Sequence, residues 1–195
     1  MIEALDVSHW TGHVTQMQWE RAREQLGVTL AIVGSWHGSK QNHAAESSLQ
    51  TARAAGLMTA TYIVLSSHLK GSSAVAHGMS ACGDEWAHLR FAALDVELDG
   101  IKEAHIDGAH RSLGKLPGMM YTGRWFWASN KHLGNPQWGR GLPLWDSHYD
   151  GRAHLDANFR PYGPWPRQTA KQYTDHAPNI NADRSVFRAD WEPLT

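Results

Sequence analysis

The chain has 195 residues, a formal net charge of −1 and a single cysteine, Cys82. This length fits one domain with a sizeable core, and the balanced charge makes nucleic acid and anionic membrane surfaces poor candidate partners. One cysteine allows no intrachain disulfide, and no apolar run approaches the ~20 residues of a membrane span, so packing has to hold the fold together.

Strands and helices alternate through the first two-thirds of the chain. The apolar pattern predicts strands at 2–8, 28–34, 57–65, 91–98 and 117–122. It predicts helices at about 15–26, 44–55, 73–81 and 101–113, the first with a capping box formed by Thr15 and Gln18. This alternation favours a parallel α/β sheet or barrel, in which functional sites lie at the carboxyl ends of the strands.

The pattern changes after Arg124. A helix at 125–131 precedes short strands at 142–149, 171–174 and 185–188, which long loops separate. The stretch 160–166 is rich in proline and glycine and is expected to be a loop. No repeat or linker divides the chain, so we expect one domain over residues 1–195.

The strand at 91–98 ends in two carboxylates separated by one residue. Because strand side chains alternate, Asp95 and Glu97 share a face with Phe91 and Ala93, while Leu94 packs on the opposite face. Two neighbouring buried acids disfavour each other's ionisation, an arrangement that suits glycoside hydrolysis. A solvated strand end or an oxygen-ligand cation site explains this short motif equally well.

Aromatic and histidine residues are unusually abundant. The chain has ten tryptophans, five tyrosines and 13 histidines. Aromatic residues in excess of what a core requires often line a ligand groove. Polar or aromatic side chains also fall near the carboxyl ends of predicted strands, namely Asp6, Tyr62, Asp95, Glu97 and Tyr121.

Four segments together resemble glycoside hydrolase family 25, the Chalaropsis-type lysozymes found among bacterial autolysins and phage endolysins. The resemblance rests on Asp6-Val7-Ser8-His9-Trp10-Thr11-Gly12, Leu94-Asp95-Val96-Glu97, Leu144-Trp145-Asp146-Ser147-His148-Tyr149, and Gln172-Tyr173-Thr174 followed by Asp183. It implies an irregular, flattened TIM-like barrel of five β/α units followed by three short strands. It also implies a muramidase that cleaves the β-1,4 bond between N-acetylmuramic acid and N-acetylglucosamine in peptidoglycan.

The resemblance assigns roles to particular residues. Glu97 would be the general acid/base and Asp95 its partner, with Asp6 and Asp183 as the other acids of the pocket. The substrate's own 2-acetamido group would attack the anomeric carbon, which gives retention without an enzyme nucleophile. The sugar groove would be lined by Tyr62, Tyr121, Trp145, Tyr149 and Gln172, with Gln172 or a tyrosine hydroxyl bonding the acetamido group.

Two segments depart from the family pattern. Tyr62 is followed by Ile63 and Val64 where relatives usually have His-Phe, and the second strand ends in the segment 33–38, Val-Gly-Ser-Trp-His-Gly, where a polar ending is common. We expect both changes at the rim of the groove, where they would affect substrate detail and leave the acids in place.

Two other functions are compatible with parts of the sequence. A zinc amidase would need some of His9, His13, His148 and His154 to meet, yet no H-E-x-x-H spacing is present. A non-catalytic wall-binding module would keep the groove, although it has no need for a desolvated acid pair. We therefore expect an enzyme without metal or other cofactor.

Partners and location follow from the same reasoning. Peptidoglycan glycan strands are the expected partner, with no nucleic acid or membrane partner, and the chain is expected to be monomeric. The first residues, 1–6, carry no export signal. This favours a lysin that reaches the cell wall through holin-type release or as part of a lytic particle.

Overall fold

The structure is a computed structural model that describes residues 1–130, 137–156 and 158–195. The described residues form eight strands: β1 (Ile2–Val7), β2 (Val28–His37), β3 (Met58–Val64), β4 (Ala92–Asp95), β5 (Gly118–Thr122), β6 (Leu144–Ser147), β7 (Ala170–Thr174) and β8 (Asp183–Phe187). Their helices are α1 (Gln16–Leu26), α2 (Ala45–Ala54), α3 (Gly71–Cys82), α4 (Glu103–Ser112) and α5 (Arg124–Ser129), with short 3-10 turns at Gly83–His88 and Glu192–Leu194.

The eight strands close into a barrel in sequence order. Strands β1 to β7 run parallel, and β8 is antiparallel to both β7 and β1. The predicted TIM-like α/β barrel, with five β/α units and three further short strands, is therefore confirmed.

Local sequence explains most element boundaries. Helix α1 begins with the predicted capping box, in which the Thr15 side chain accepts from the Gln18 backbone, and it ends at Gly27 in the left-handed conformation. The end of the predicted helix at 125–131 lies outside the described residues, and α5 is described as far as Ser129. Strand β4 is shorter than predicted, since its ladder ends at Asp95 and Glu97 lies just beyond it.

The barrel separates two kinds of core. Its interior is filled mainly by small and aromatic side chains, including Ala4, Ala93, Phe91 and Phe187. Residues on the other face of the same strands, such as Leu5 and Leu94, pack outward against the helices. The predicted alternation of faces in β1 and β4 is thus confirmed.

The C-terminal segment closes the end of the barrel at which the parallel strands begin. Trp191 packs against Phe91 and Phe187, and Leu194 joins the interior cluster. This leaves the carboxyl ends of the parallel strands as the open end. No helix in the described ranges is long and apolar enough to cross a membrane.

Candidate active site

A cavity of about 200 Å³ opens at the carboxyl ends of the strands. All nine residues assigned from the sequence line it, and His37 is the tenth. The lining residues are Asp6, His37, Tyr62, Asp95, Glu97, Tyr121, Trp145, Tyr149, Gln172 and Asp183.

Strand register places most of these side chains at one level of the barrel. Asp95 pairs with Tyr121, and Tyr121 pairs in turn with Trp145. On the other side, Asp6 of β1 lies directly opposite Asp183 of β8. Asp6 and Asp183 are far apart in the chain and meet because the barrel closes through the β1–β8 pairing.

The two acids at the end of β4 have different surroundings. Asp95 is buried, and its Oδ1 atom has no hydrogen-bond partner within the described residues. Burial raises the pKa of Asp95 well above its usual range, and the charges on Glu97 and Asp6 raise it further. An unpaired buried oxygen is costly in a folded protein, so it marks a position where a ligand donor would be favourable.

Glu97 has a pKa near neutral pH, which suits a group that gives up and takes back a proton. Burial raises the pKa of its carboxyl group to about 7, with a further contribution from the charge of Asp183. The predicted cause, clustering of carboxylates, contributes, but desolvation is the larger effect. A carboxylic acid with this pKa donates and accepts protons readily at physiological pH.

Asp6 and Asp183 form a second acidic pair across β1 and β8. Burial, followed by the charge of Asp183, raises the pKa of Asp6 well above its usual range. Burial and the neighbouring Asp175 raise the pKa of Asp183 to about 6. The cavity therefore holds four acids that resist simultaneous ionisation.

Gln172 joins the acids to the tyrosines. Its Oε1 accepts hydrogen bonds from the hydroxyls of Tyr121, at 2.6 Å, and Tyr149. Its Nε2 donates to Asp6 Oδ1 at 2.8 Å and to Asp183 Oδ2 at 3.1 Å. Both amide protons and both oxygen lone pairs are used within the protein, which leaves none for the predicted bond to an acetamido group.

Tyr62 presents a free hydroxyl to the cavity. No protein hydrogen bond is made by its hydroxyl within the described ranges, and its ring lies over Gly34 of the neighbouring strand. Burial and the surrounding carboxylates raise the pKa of Tyr62 well above 10, so the hydroxyl keeps its proton. Of the residues predicted to bond the acetamido group, Tyr62 is the one available to do so.

The two aromatic residues of the segment 144–149 contribute differently. Tyr149 is 50% exposed and stands at the mouth of the cavity, whereas Trp145 is 1% exposed. The Trp145 indole donates to Ser185 Oγ at 3.1 Å and contacts Tyr121 edge to face. Trp145 therefore forms the floor, and Tyr149 offers the open aromatic face.

The sequence analysis assigned no role to His37 or Ser185. His37 lines the cavity, and burial, His9 and Lys40 all lower its pKa. Ser185 bridges the floor to the acids, since its Oγ lies 3.4 Å from Asp6 Oδ2. The departure from the family pattern at residues 33–38 includes His37. No feature of the sequence around Ser185 marks it as a site residue.

The departure from the family pattern at Ile63 and Val64 was expected at the rim of the groove. Ile63 and Val64 are both buried, and neither lines the acidic cavity. Ile63 packs outward, beneath Gly78 of α3. The placement of Ile63 at the groove rim was therefore wrong, because its side chain packs outward from β3 against α3. Val64 pairs with Asp95 at the carboxyl end of β3, and the segment 33–38 reaches the cavity through His37.

The four histidines of the zinc hypothesis do not meet. Within residues 1–130, 137–156 and 158–195, no group of three or more histidine, cysteine or acidic side chains has an arrangement that could hold a metal ion. His13 bonds Ser47, while His148 lies near Asp146 and Asp150. These positions give no support to a zinc amidase.

Comparison with protein families agrees with this arrangement. The family model described as glycosyl hydrolases family 25 matches residues 5–181. The chain belongs to glycosyl hydrolases family 25. It is therefore a glycoside hydrolase, and the predicted lysozyme-type peptidoglycan hydrolase is confirmed at the level of this family. A comparison with curated protein sequences finds no match.

Several solved structures share the family 25 barrel. A bacterial lysozyme from Streptomyces coelicolor has a TM-score of 0.77 at 18% identity, covering 99% of this chain and 94% of its own. A muramidase from Acremonium alcalophilum has a TM-score of 0.77 at 18% identity, covering 100% and 97%. A family GH25 lysozyme from Aspergillus fumigatus has a TM-score of 0.76 at 17% identity, covering 99% and 96%. At these identities the likeness establishes the fold.

Proposed function

We propose that this family 25 enzyme cleaves the β-1,4 bond between N-acetylmuramic acid and N-acetylglucosamine in peptidoglycan, with retention of anomeric configuration. The observation that carries the proposal is the unpaired, buried Oδ1 of Asp95 next to Glu97, whose pKa is raised to about 7. The structural likeness to a muramidase and to lysozymes supports the choice of bond.

Glu97 is proposed as the general acid and later the general base. Its raised pKa leaves a large protonated fraction near neutral pH, and its position just beyond β4 places it at the cavity mouth. In the first step the Glu97 proton passes to the glycosidic oxygen as the bond from that oxygen to C1 breaks.

Asp95 is proposed to hold the 2-acetamido group of the sugar. The acetamido N–H would supply the donor that Asp95 Oδ1 lacks, which favours the ionised form of Asp95. Because the charges of Glu97 and Asp95 disfavour each other, an ionised Asp95 would favour the protonated form of Glu97. Substrate binding would thus place one proton where the reaction needs it.

The acetamido oxygen then acts as the nucleophile. It bonds to C1 as the leaving group departs, and ionised Asp95 stabilises the positive charge that develops on the acetamido nitrogen. In the second step Glu97 removes a proton from water, the water oxygen bonds to C1, and the acetamido oxygen is released. Glu97 ends protonated, ready for another cycle.

The cavity wall is proposed to orient the sugar. The free hydroxyl of Tyr62 would bond the acetamido carbonyl, and the exposed ring of Tyr149 would pack against a sugar C–H face. Tyr121, Trp145 and Gln172 support these groups from behind through the bonds described above. Asp6 and Asp183 complete the acidic pocket.

Digestion of purified peptidoglycan tests both which bond is cleaved and whether Glu97 is the general acid. Fragments released by the wild type and by Glu97→Gln are reduced with borohydride and identified by mass spectrometry. We expect muramitol ends from the wild type and none from the variant. Glucosaminitol ends would identify a different bond, and unchanged release by Glu97→Gln would exclude Glu97 as the acid.

The same experiment addresses the wall-binding alternative. A non-catalytic module would release no fragments even though it sediments with the wall, and this outcome would replace the catalytic proposal. The site of action would be the bacterial cell wall. Its route there, by holin-type release or within a lytic particle, remains a prediction.

A further inference from the structure

A second cavity, of about 730 Å³, lies beside the acidic one. Tyr149 borders both cavities, so a ligand seated in the acidic cavity has direct access to the larger one. The walls of the larger cavity come from the start of α5, the segment after β6 and residues 158–162. None of the proposed catalytic acids lines it.

The charge of this cavity is opposite to that of the acidic one. Arg124 and Arg160 both line it and are exposed, and neither has a carboxylate within 4 Å in the part of the chain that the structure describes. Its acidic lining residue, Asp146, is buried and bonded to Tyr162 at 2.6 Å and to Gln168 at 2.6 Å. The accessible charge of the cavity is therefore positive.

Flat aromatic surfaces flank the arginines. Trp125 is 54% exposed, and its indole folds over Gly123, where a Cβ would lie 2.3 Å from Nε1. Tyr149 supplies a second exposed ring on the acidic side. Exposed aromatic rings beside unpaired guanidinium groups are typical of surfaces that bind a ligand with both apolar and anionic parts.

We propose that this cavity binds the peptide stem of the substrate through its carboxylates, with Arg124 and Arg160 as the anion-binding residues. The inference rests on the proposed function, because the peptide is attached to the muramic acid residue of the strand being cut. The sugar ring enters a cavity of four acids, which repels carboxylates, and the adjoining basic cavity provides the place for them. The enzyme would then prefer glycan that carries peptide.

The test compares two substrates and three proteins. The substrates are glycan strands with intact peptide stems and the same strands after an amidase has removed the stems. The proteins are the wild type, Arg124→Gln/Arg160→Gln, and the control Arg111→Gln/Lys115→Gln. The control removes two exposed charges near the end of α4, at the opposite end of the barrel.

We expect the Arg124→Gln/Arg160→Gln variant to lose kcat/KM on peptide-bearing strands by roughly fivefold for each arginine. Its kcat/KM on stripped strands should match the wild type, as should that of the control on both substrates. The preference of the wild type for peptide-bearing over stripped strands should also decrease at about 1 M salt, where the electrostatic screening length is roughly 3 Å.

Failures of the two proposals give different results. Equal losses on both substrates, or no loss on either, would overturn peptide binding at this cavity while leaving the muramidase intact. Cleavage of neither substrate by the wild type would overturn the muramidase, and peptide recognition with it.

Discussion

Tyr62 lies directly against Gly34, its partner in the β2–β3 ladder, so closely that a Cβ on residue 34 would come within 2.4 Å of Tyr62 Cζ. Gly34 has an ordinary backbone conformation, so space and not backbone strain requires glycine here. The missing side chain lets the tyrosine ring lie across β2 and place its hydroxyl in the cavity.

Gly34→Ala should therefore displace the Tyr62 ring and impair the enzyme. We expect kcat/KM to fall by roughly tenfold or more, comparable to the loss in Tyr62→Phe, because both remove one oriented hydrogen bond. Peptidoglycan turnover measures this loss. Gly108→Ala in α4 is the matched control, since its Cβ would meet nothing closer than 3.7 Å and should stabilise the helix by about 0.5–1 kcal/mol. Wild-type activity in Gly34→Ala would contradict the assigned role of Tyr62.

Activity should decline as the pH rises through about 7, where Glu97 loses its proton. Asp183→Asn removes a charge that raises the pKa of Glu97, so the alkaline limb should move to lower pH. Burial, the larger cause, remains in the variant. A kcat/KM profile from pH 4 to 9 measures the shift, and Asp107→Asn on the exposed face of α4 serves as the control. An alkaline limb that stays in place would show that Asp183 does not act on the catalytic acid.

Glu97→Gln should gain stability while it loses activity. The folded-state pKa of Glu97, about 7, lies above its ordinary value of 4.5, so the folded state holds the proton more tightly. The penalty for ionisation is absent below about pH 4 and fully present above pH 7, so stability falls as pH rises through this window.

Urea unfolding at pH 4 and at pH 8 measures this effect. At pH 8 the variant should exceed the wild type by about 1–3 kcal/mol in the free energy of unfolding, and at pH 4 the two should be similar. Glu24→Gln, on the exposed side of α1, should change little at either pH. A Glu97→Gln protein less stable than the wild type at pH 8 would mean that the folded protein favours the ionised carboxylate.

Gln172→Leu should impair both stability and activity. The variant removes the partner shared by two tyrosine hydroxyls and two aspartates, at about 1–3 kcal/mol for each group, such as buried Asp6, that is left unsatisfied. Loss of its N–H donors should raise the pKa of Asp6 further, because that hydrogen bond lowers it. Thermal unfolding and the pH–rate profile measure the two effects. A variant that binds glycan less tightly with unchanged stability and kcat would instead indicate direct sugar contact.

Exhaustive chelation should leave activity intact. The mechanism uses carboxylates and the substrate's acetamido group, and the described residues offer no metal-binding group. Peptidoglycan turnover before and after treatment with a strong chelator provides the measurement, with a known zinc amidase as the positive control. Loss of activity that added zinc restores would favour the amidase.

Much of this enzyme follows from local sequence. The alternation of strand and helix periodicity in the apolar residues predicted the β/α units. The alternation of side chains along β4 correctly predicted Asp95 on the same face as Phe91, inside the barrel, and Leu94 outside it. The family resemblance led to nine residues that the structure gathers in one cavity. Such features are readable because strand alternation and helix capping act over a few neighbouring residues.

Other features depended on barrel closure. Gln172 is predicted as a sugar contact, yet register with β1 and β8 brings it between Asp6 and Asp183, where its bonding capacity is used up. Ile63 was expected at the rim and is buried beneath α3. The sequence alone determined which residue types the chain offers and which strand face each occupies. Only the tertiary structure decided which groups remain unpaired, because hydrogen bonding and burial depend on residues far apart in the chain.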